Sequence, residues 1–109
     1  MTMASDKSFV DYILEQLEGA GEIRARKMFG EYGLFCDGVF FAVICDDQLF
    51  VKATPQGEAA FPQLPKAPPY EGARDYILVE DPDCRETMAA LARITREALG
   101  SPPPGKRRK

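Results

Sequence analysis

The chain contains no histidine. That absence removes the commonest general base, the commonest metal ligand and any serine–histidine or cysteine–histidine nucleophile pair. Cysteine is scarce as well. Cys36, Cys45 and Cys84 are odd in number and irregular in spacing, so they form neither a disulfide framework nor a CxxC metal site. Long apolar runs are missing. The longest, VFFAVIC at 39–45, is far too short to cross a bilayer. The polar start MTMASDKS lacks a signal-peptide core. These absences lead us to expect a cytoplasmic protein that is not an enzyme and carries no cofactor or metal. Positive charge is also short over most of the chain. Lys106, Arg107, Arg108 and Lys109 hold four of the 14 basic residues, leaving ten against 17 acidic ones, a balance of −7. An acidic body is a poor general binder of phosphate backbones.

What is present reads as one domain over 1–100 followed by a disordered, proline-rich basic tail, 101–109, that cannot pack. Phe9, Val10, Ile13, Leu14 and Leu17 fall at helical spacing, predicting a helix over 6–18 capped by Ser5 or Asp6. A first strand follows at 23–29, then strands at about 32–36, 39–45 and 48–53. Asp37-Gly38 is a strong hairpin signal, because a type I′ turn needs positive φ at both centres. Asp46-Asp47 is a weaker one. Thr54-Pro55 starts a short helix as N-cap and first residue. The stretch PQLPKAPPYEGA is extended, and RDYILVE at 74–80 is another strand. Asp81-Pro82 opens the last helix, with Met88, Leu91, Ala92, Thr95 and Leu99 as its buried stripe. The order predicts a two-layer α+β fold, an antiparallel sheet with the N- and C-terminal helices on one face.

Two-residue turns fix a register. Regular alternation from them puts Gly33, Phe35, Phe40, Ala42, Ile44, Leu49 and Val51 on the core face. The other face receives Tyr32, Leu34, Cys36, Val39, Phe41, Val43, Phe50 and Lys52. It is apolar where a solvated face would be polar. Either the short helix and the proline-rich segment fold over it, or it is an interface for a homodimer or a protein partner. Partial cover with an exposed interface at Leu34, Phe41, Val43 and Phe50 is the favoured compromise. Cys36 and Cys45 share that face about 20 Å apart, too far to bridge.

With the meander placed, RKMFGEYGLFCDG, FAVICDDQLFVKAT and APPYEGARDYILVE resemble the TfoX (Sxy) N-terminal-domain family over about residues 8–99. The combination of Met28-Phe29-Gly30, Gly33-Leu34, Asp37-Gly38 and Leu49-Phe50-Val51-Lys52 carries the resemblance. It implies a bacterial, competence-regulator-like module with a two-layer α+β fold similar to secretion chaperones. Two departures stand out. Glu31 follows Met-Phe-Gly where the competence regulators tend to have a second glycine. The sequence also leaves no room for their C-terminal helical domain, so a standalone short member is expected.

The residues offer three candidate sites. Met28, Phe29, Gly30, Glu31, Tyr32 and Gly33 form a family-motif corner for a partner, although glycines in a strand pattern more often mark a bulge. Arg24, Arg26 and Lys27, with Lys106, Arg107, Arg108 and Lys109, are the candidate nucleic-acid contacts. Charge on an edge strand more often serves solubility, and four tail charges give only weak, salt-sensitive affinity. Glu80, Asp81 and Asp83 lack the spacing of a calcium loop and suit a helix N-terminus. The leading expectation is a non-catalytic regulatory module acting through protein contacts. A nucleic-acid-binding, transcription-related protein is the alternative.

Overall fold

The computed structural model describes residues 7–28 and 31–100. Phe29, Gly30 and the basic tail Lys106–Lys109 lie outside the described residues. The elements run α1 (Lys7–Gln16), β1 (Ile23–Met28), β2 (Glu31–Cys36), β3 (Val39–Cys45), β4 (Gln48–Lys52), α2 (Pro55–Ala60), β5 (Lys66–Ala67), β6 (Tyr76–Val79) and α3 (Arg85–Leu99). All six strands pair antiparallel in the order β1-β2-β3-β4-β6-β5. The fold is α+β, as the element order implies.

Both turns of the meander use the left-handed region. Asp37 and Gly38 have φ of 51° and 85°, and Asp46 and Asp47 have 54° and 57°. The second turn therefore adopts the same geometry without a glycine. Two local bonds hold the turns. Glu22 N donates to Asp37 Oδ1 at 2.8 Å, and Asp46 N donates to Glu31 Oε2 at 3.0 Å. Aspartate tolerates this conformation better than most residues.

The main core lies between the sheet and the helices. Val10, Ile13 and Leu17 of the first helical segment and Met88, Leu91 and Ala92 of α3 pack on Leu34, Cys36, Phe41, Ala42, Ile44, Leu49, Val51, Ile77 and Val79. This corrects the alternation read from the sequence. Cys36 opposes Val39 and Phe35 opposes Phe40, but Leu34 then opposes Ala42 instead of Phe41. A β-bulge inserts one residue into β3. Phe41 and Ala42 both turn to the helices, and each side chain beyond is shifted by one place. Leu34, Cys36 and Phe41 are thus core residues at 0% exposure, not interface residues. Phe35 and Phe40 move the other way, onto the opposite face.

Two further differences have local causes. The last helix starts at Arg85, not at Asp81-Pro82. Asp81 Oδ1 accepts the Asp83 amide at 3.3 Å, and Gln16 Nε2 takes the Pro82 carbonyl at 2.9 Å. Such side-chain bonds hold the segment out of the helix. The short helix α2 is capped as expected, with Thr54 Oγ1 accepting from Gly57 N at 2.9 Å. It packs beside α3 on the main core, where a Cβ on Gly57 would meet Leu91 and Ile77 at 3.5 and 3.6 Å. It does not fold over the second sheet face.

Candidate functional site: an open aromatic sheet face

The face turned away from the helices carries its own apolar cluster. Val43, Cys45 and Phe50 are buried there, with Phe40, Ala67, Tyr76 and Leu78 packed around them. Register explains the set. Phe50 is flanked by Val43 of β3 and Leu78 of β6, while Tyr76 opposes both Lys52 and Ala67. Phe35 stacks on Phe40 with ring centroids 5.3 Å apart and a 46° tilt. Arg24 and Arg26 pair with Phe35 and Gly33, so they border this face at the β1 edge.

Cover from the proline-rich segment is partial. Ala67 pairs alongside Tyr76, and Tyr70 stands over the face with 60% of its surface exposed. Between them runs a groove of about 570 Å³ lined by Glu31, Tyr32, Phe40, Val43, Cys45, Tyr70 and Tyr76. Its volume is in the range of binding clefts, about 300–1,000 Å³. Four of the seven lining side chains are aromatic, and Glu31 is the charged one. Lys52 Nζ lies 4.8 Å from the Phe40 ring centroid, and Lys27 Nζ lies 6.0 Å from that of Tyr32.

Burial, followed by the Glu31 and Asp46 carboxylates, pushes the Cys45 thiol up to about 11. Burial, then the neighbouring Tyr70 and Cys45, also raises Tyr76. Both groups are protonated at neutral pH, as weak donors on an apolar floor. Cys36 is raised too, chiefly by burial, and its Sγ donates to the Ala20 carbonyl at 3.8 Å. Cys36 and Cys45 therefore lie on opposite faces, not on one. All three cysteines are free. Among the described residues no cluster of three or more Cys, Asp or Glu side chains is placed to hold a metal ion, and no helix is long and apolar enough to cross a membrane.

The candidates read from the sequence divide accordingly. Val43 and Phe50 do lie on the second face, whereas Leu34 and Phe41 do not. Of the family-motif corner, Glu31 and Tyr32 border the groove, but Tyr32 opposes the core residue Ile44 and packs against the main core, whereas Gly33 opposes Val43 and is a buried strand residue of the second face, the reverse of the sequence assignment. Arg24, Arg26 and Lys27 are exposed on β1, and Arg24 Nη2 is bonded to Glu22 Oε2 at 2.6 Å. Phe40, Tyr70 and Tyr76 belong to the groove but were not singled out from the sequence, which did place Cys45 on this face. The alternation Tyr76-Ile77-Leu78-Val79 was the available signal for Tyr76. Phe40 was hidden by the bulge.

A protein from Spirochaeta aurantia described as an uncharacterized 12.7 kDa protein in the trpE 5′ region is 32% identical over 105 residues. The alignment covers 95% of this chain and 91% of that one. The TfoX N-terminal domain matches residues 15–101, which include every strand, α2 and α3. The chain belongs to the TfoX N-terminal domain family.

Proposed function

We propose that the protein is a non-catalytic regulatory module that works through protein contacts on the open sheet face, with a second copy of the chain as its partner. The family suggests a regulatory role and is not known for enzymatic activity. The observation that carries the reading is the apolar second face, whose groove is only partly roofed by Tyr70. Six strands at about 4.8 Å spacing and a seven-residue β3 give a face of roughly 24 by 23 Å, or about 550 Å² before side-chain relief. A standard interface takes about 800 Å² per partner. A two-fold pair of such faces is therefore smaller than a standard interface before side-chain relief is added, and a self-complementary patch is what a two-fold dimer uses.

Sedimentation equilibrium tests this, with full-length protein compared against Phe35→Asp. Phe35 is half-buried on the open face, so the variant is expected to fold, as checked by circular dichroism. Concentration-dependent self-association that Phe35→Asp weakens at least about tenfold, the scale of one interface side chain, is the expected result. A chain that stays monomeric across the concentration range overturns the dimer. Salt-sensitive anisotropy of duplex DNA between about 50 and 200 mM salt, surviving charge reversal of the tail and lost with Arg24→Glu and Arg26→Glu, would move the function to β1.

A further inference from the structure

We propose that the outer edge of β1 takes up one more antiparallel strand from a protein partner, an extended acidic segment whose carboxylates alternate to face Arg24 and Arg26. This goes beyond the open-face reading and does not rest on it, because the bonding groups lie on the rim of the sheet and not on its face.

Three observations converge. The first is the ladder. β1 stands at one end of the strand order and pairs with β2 alone. The strand at the other end, β5, has two residues, whereas β1 has six. Asp37 N donates to the Glu22 carbonyl at 2.8 Å, in the register that sets Ile23 against Cys36. Bonded and non-bonded pairs alternate along an antiparallel ladder. Arg24 and Arg26 therefore spend their backbone groups on Phe35 and Gly33, while Ile23, Ala25 and Lys27 point theirs outward. Among the described residues no strand meets those outward groups.

The second is charge. A strand bonded to Ile23, Ala25 and Lys27 meets Arg24 and Arg26 at non-bonded positions, where facing side chains come closest. Both arginines are exposed. Arg26 has no ion pair among the described residues. Arg24 holds Glu22, but that pair is itself exposed and contributes little. Opposite charges at facing positions stabilise a strand pair, and like charges destabilise it. A second copy of the chain is therefore a poor occupant. Each two-fold antiparallel register that uses two or more of Ile23, Ala25 and Lys27 sets an arginine against an arginine. The charge that keeps this edge from pairing with itself leaves it open to an acidic strand.

The third is the helix-side face of β1. Ile23 and Ala25 are partly buried and pack against the main core. Residues of an added strand that lie opposite them turn to the same side. Apolar side chains there continue the core past β1. The fitting segment therefore reads, from the position opposite Lys27 to the one opposite Ile23, polar, acidic, apolar, acidic, apolar. Main-chain bonds supply its affinity and the alternate side chains supply its specificity, as in other cases of strand addition to a sheet edge.

The test uses the full chain and the peptide Thr-Glu-Val-Glu-Val, with fluorescein on its N-terminus and an amidated C-terminus. One control peptide has lysine for both glutamates. A second carries N-methyl groups on both valines, whose N–H groups face β1 in the added strand. A third carries them on both glutamates, whose N–H groups face away. Anisotropy is expected to show saturable binding with Kd below about 1 mM. Lysine should weaken it about fivefold or more, and methylated valines about tenfold. Methylated glutamates should change it little. Arg24→Glu with Arg26→Glu should reverse the choice between the glutamate and lysine peptides at unchanged circular dichroism, since both arginines are exposed. In NMR spectra the amides of Ile23, Ala25 and Lys27 should shift and gain protection from hydrogen exchange. Absence of binding up to about 1 mM overturns the proposal. Binding that methylated valines leave intact also overturns it, as charge attraction alone. Shifts centred on Val43, Phe50 and Tyr76 overturn it by seating the peptide on the open face. If a short oligodeoxythymidine binds through the same arginines more tightly than the peptide, the arginines serve phosphates and the proposal falls.

Discussion

Replacing Phe41 and Phe40 separately by alanine measures the bulge. Phe41 is fully buried among residues from both long helices and the sheet, while Phe40 is half-buried on the open face. Truncating a buried phenylalanine costs about 3–5 kcal/mol, from lost transfer energy and the cavity left behind. The full stability of a domain this size is about 5–15 kcal/mol. Phe41→Ala should therefore remove at least about a fifth of it, and most of it if the domain is marginal. Phe40 keeps part of its surface in water and loses a ring contact at 5.3 Å and a lysine at 4.8 Å. Its truncation should cost about 1–2 kcal/mol, allowing about 0.5–1.5 for an aromatic pair. Urea denaturation separates the two. With a slope of about 1–3 kcal/mol per molar, Phe41→Ala should lower the midpoint by about 2 M, and Phe40→Ala by under about 1 M. Phe41→Asp should not fold at all, because an unpaired carboxylate in the core has no compensating partner. If Phe40→Ala proves the costlier change, the sheet has no bulge here and the two faces exchange their phenylalanines.

The remaining predictions concern single contacts. Thr54→Ala removes the cap on α2 and should cost about 1 kcal/mol, read as a shift in the urea midpoint at unchanged slope. Gly21 has φ of +148°, and a Cβ there would lie 2.9 Å from Cys36 Sγ and from Asp37 Oδ2. Gly21→Ala should therefore destabilise more than the same change at Gly19, which also has positive φ but open space around it. Iodoacetamide should modify Cys84 first. It is exposed, and hydrogen bonding to Thr87 lowers its thiol. Cys45 and Cys36 should react only on opening. The same raised Cys45 value sets a pH dependence. The thiol ionises near its ordinary 9.0 when unfolded and near 11 when folded. Its contribution is complete below pH 9 and is lost as pH rises through 11. Thermal denaturation of the protein should show the melting point falling across that window, and Cys45→Ala should flatten the fall.

Most of the fold was legible because several local signals agreed at each element. Thr54-Pro55 marked a helix start by chemistry as well as by position, and the structure places the cap there. Asp37-Gly38 marked a turn, and its φ values follow. The start of α3 was misread because Asp81-Pro82 is also a good helix opening. Only the bonds to Asp83 and from Gln16 decide against it, and the second of these joins residues 66 positions apart. The short helix was misplaced for a similar reason. Its six residues bury Gly57 and little else, so nothing in their pattern distinguishes one sheet face from the other.

The bulge is the deeper case. In Val39-Phe40-Phe41-Ala42-Val43-Ile44-Cys45 every side chain is apolar, so no polar residue reports which way the strand faces. Alternation could only be counted from the turn, and one inserted residue reverses the count. The consequence falls on β2 and β3 together. Leu34, Cys36 and Phe41 join the core, while Phe35 and Phe40 leave it. The apolar excess expected on the second face survives this exchange, because Val43, Phe50, Leu78 and Tyr76 were never in the exchanged set. What changes is the quality of the face. Its leucine and buried phenylalanine are replaced by two stacked, half-exposed rings beside Lys52 and two arginines. A plain hydrophobic patch would favour any apolar partner. This one combines aromatic rings with the Glu31 carboxylate and two ammonium groups, Lys27 beside Tyr32 and Lys52 beside Phe40, so on the proposed reading an occupant must match both shape and charge.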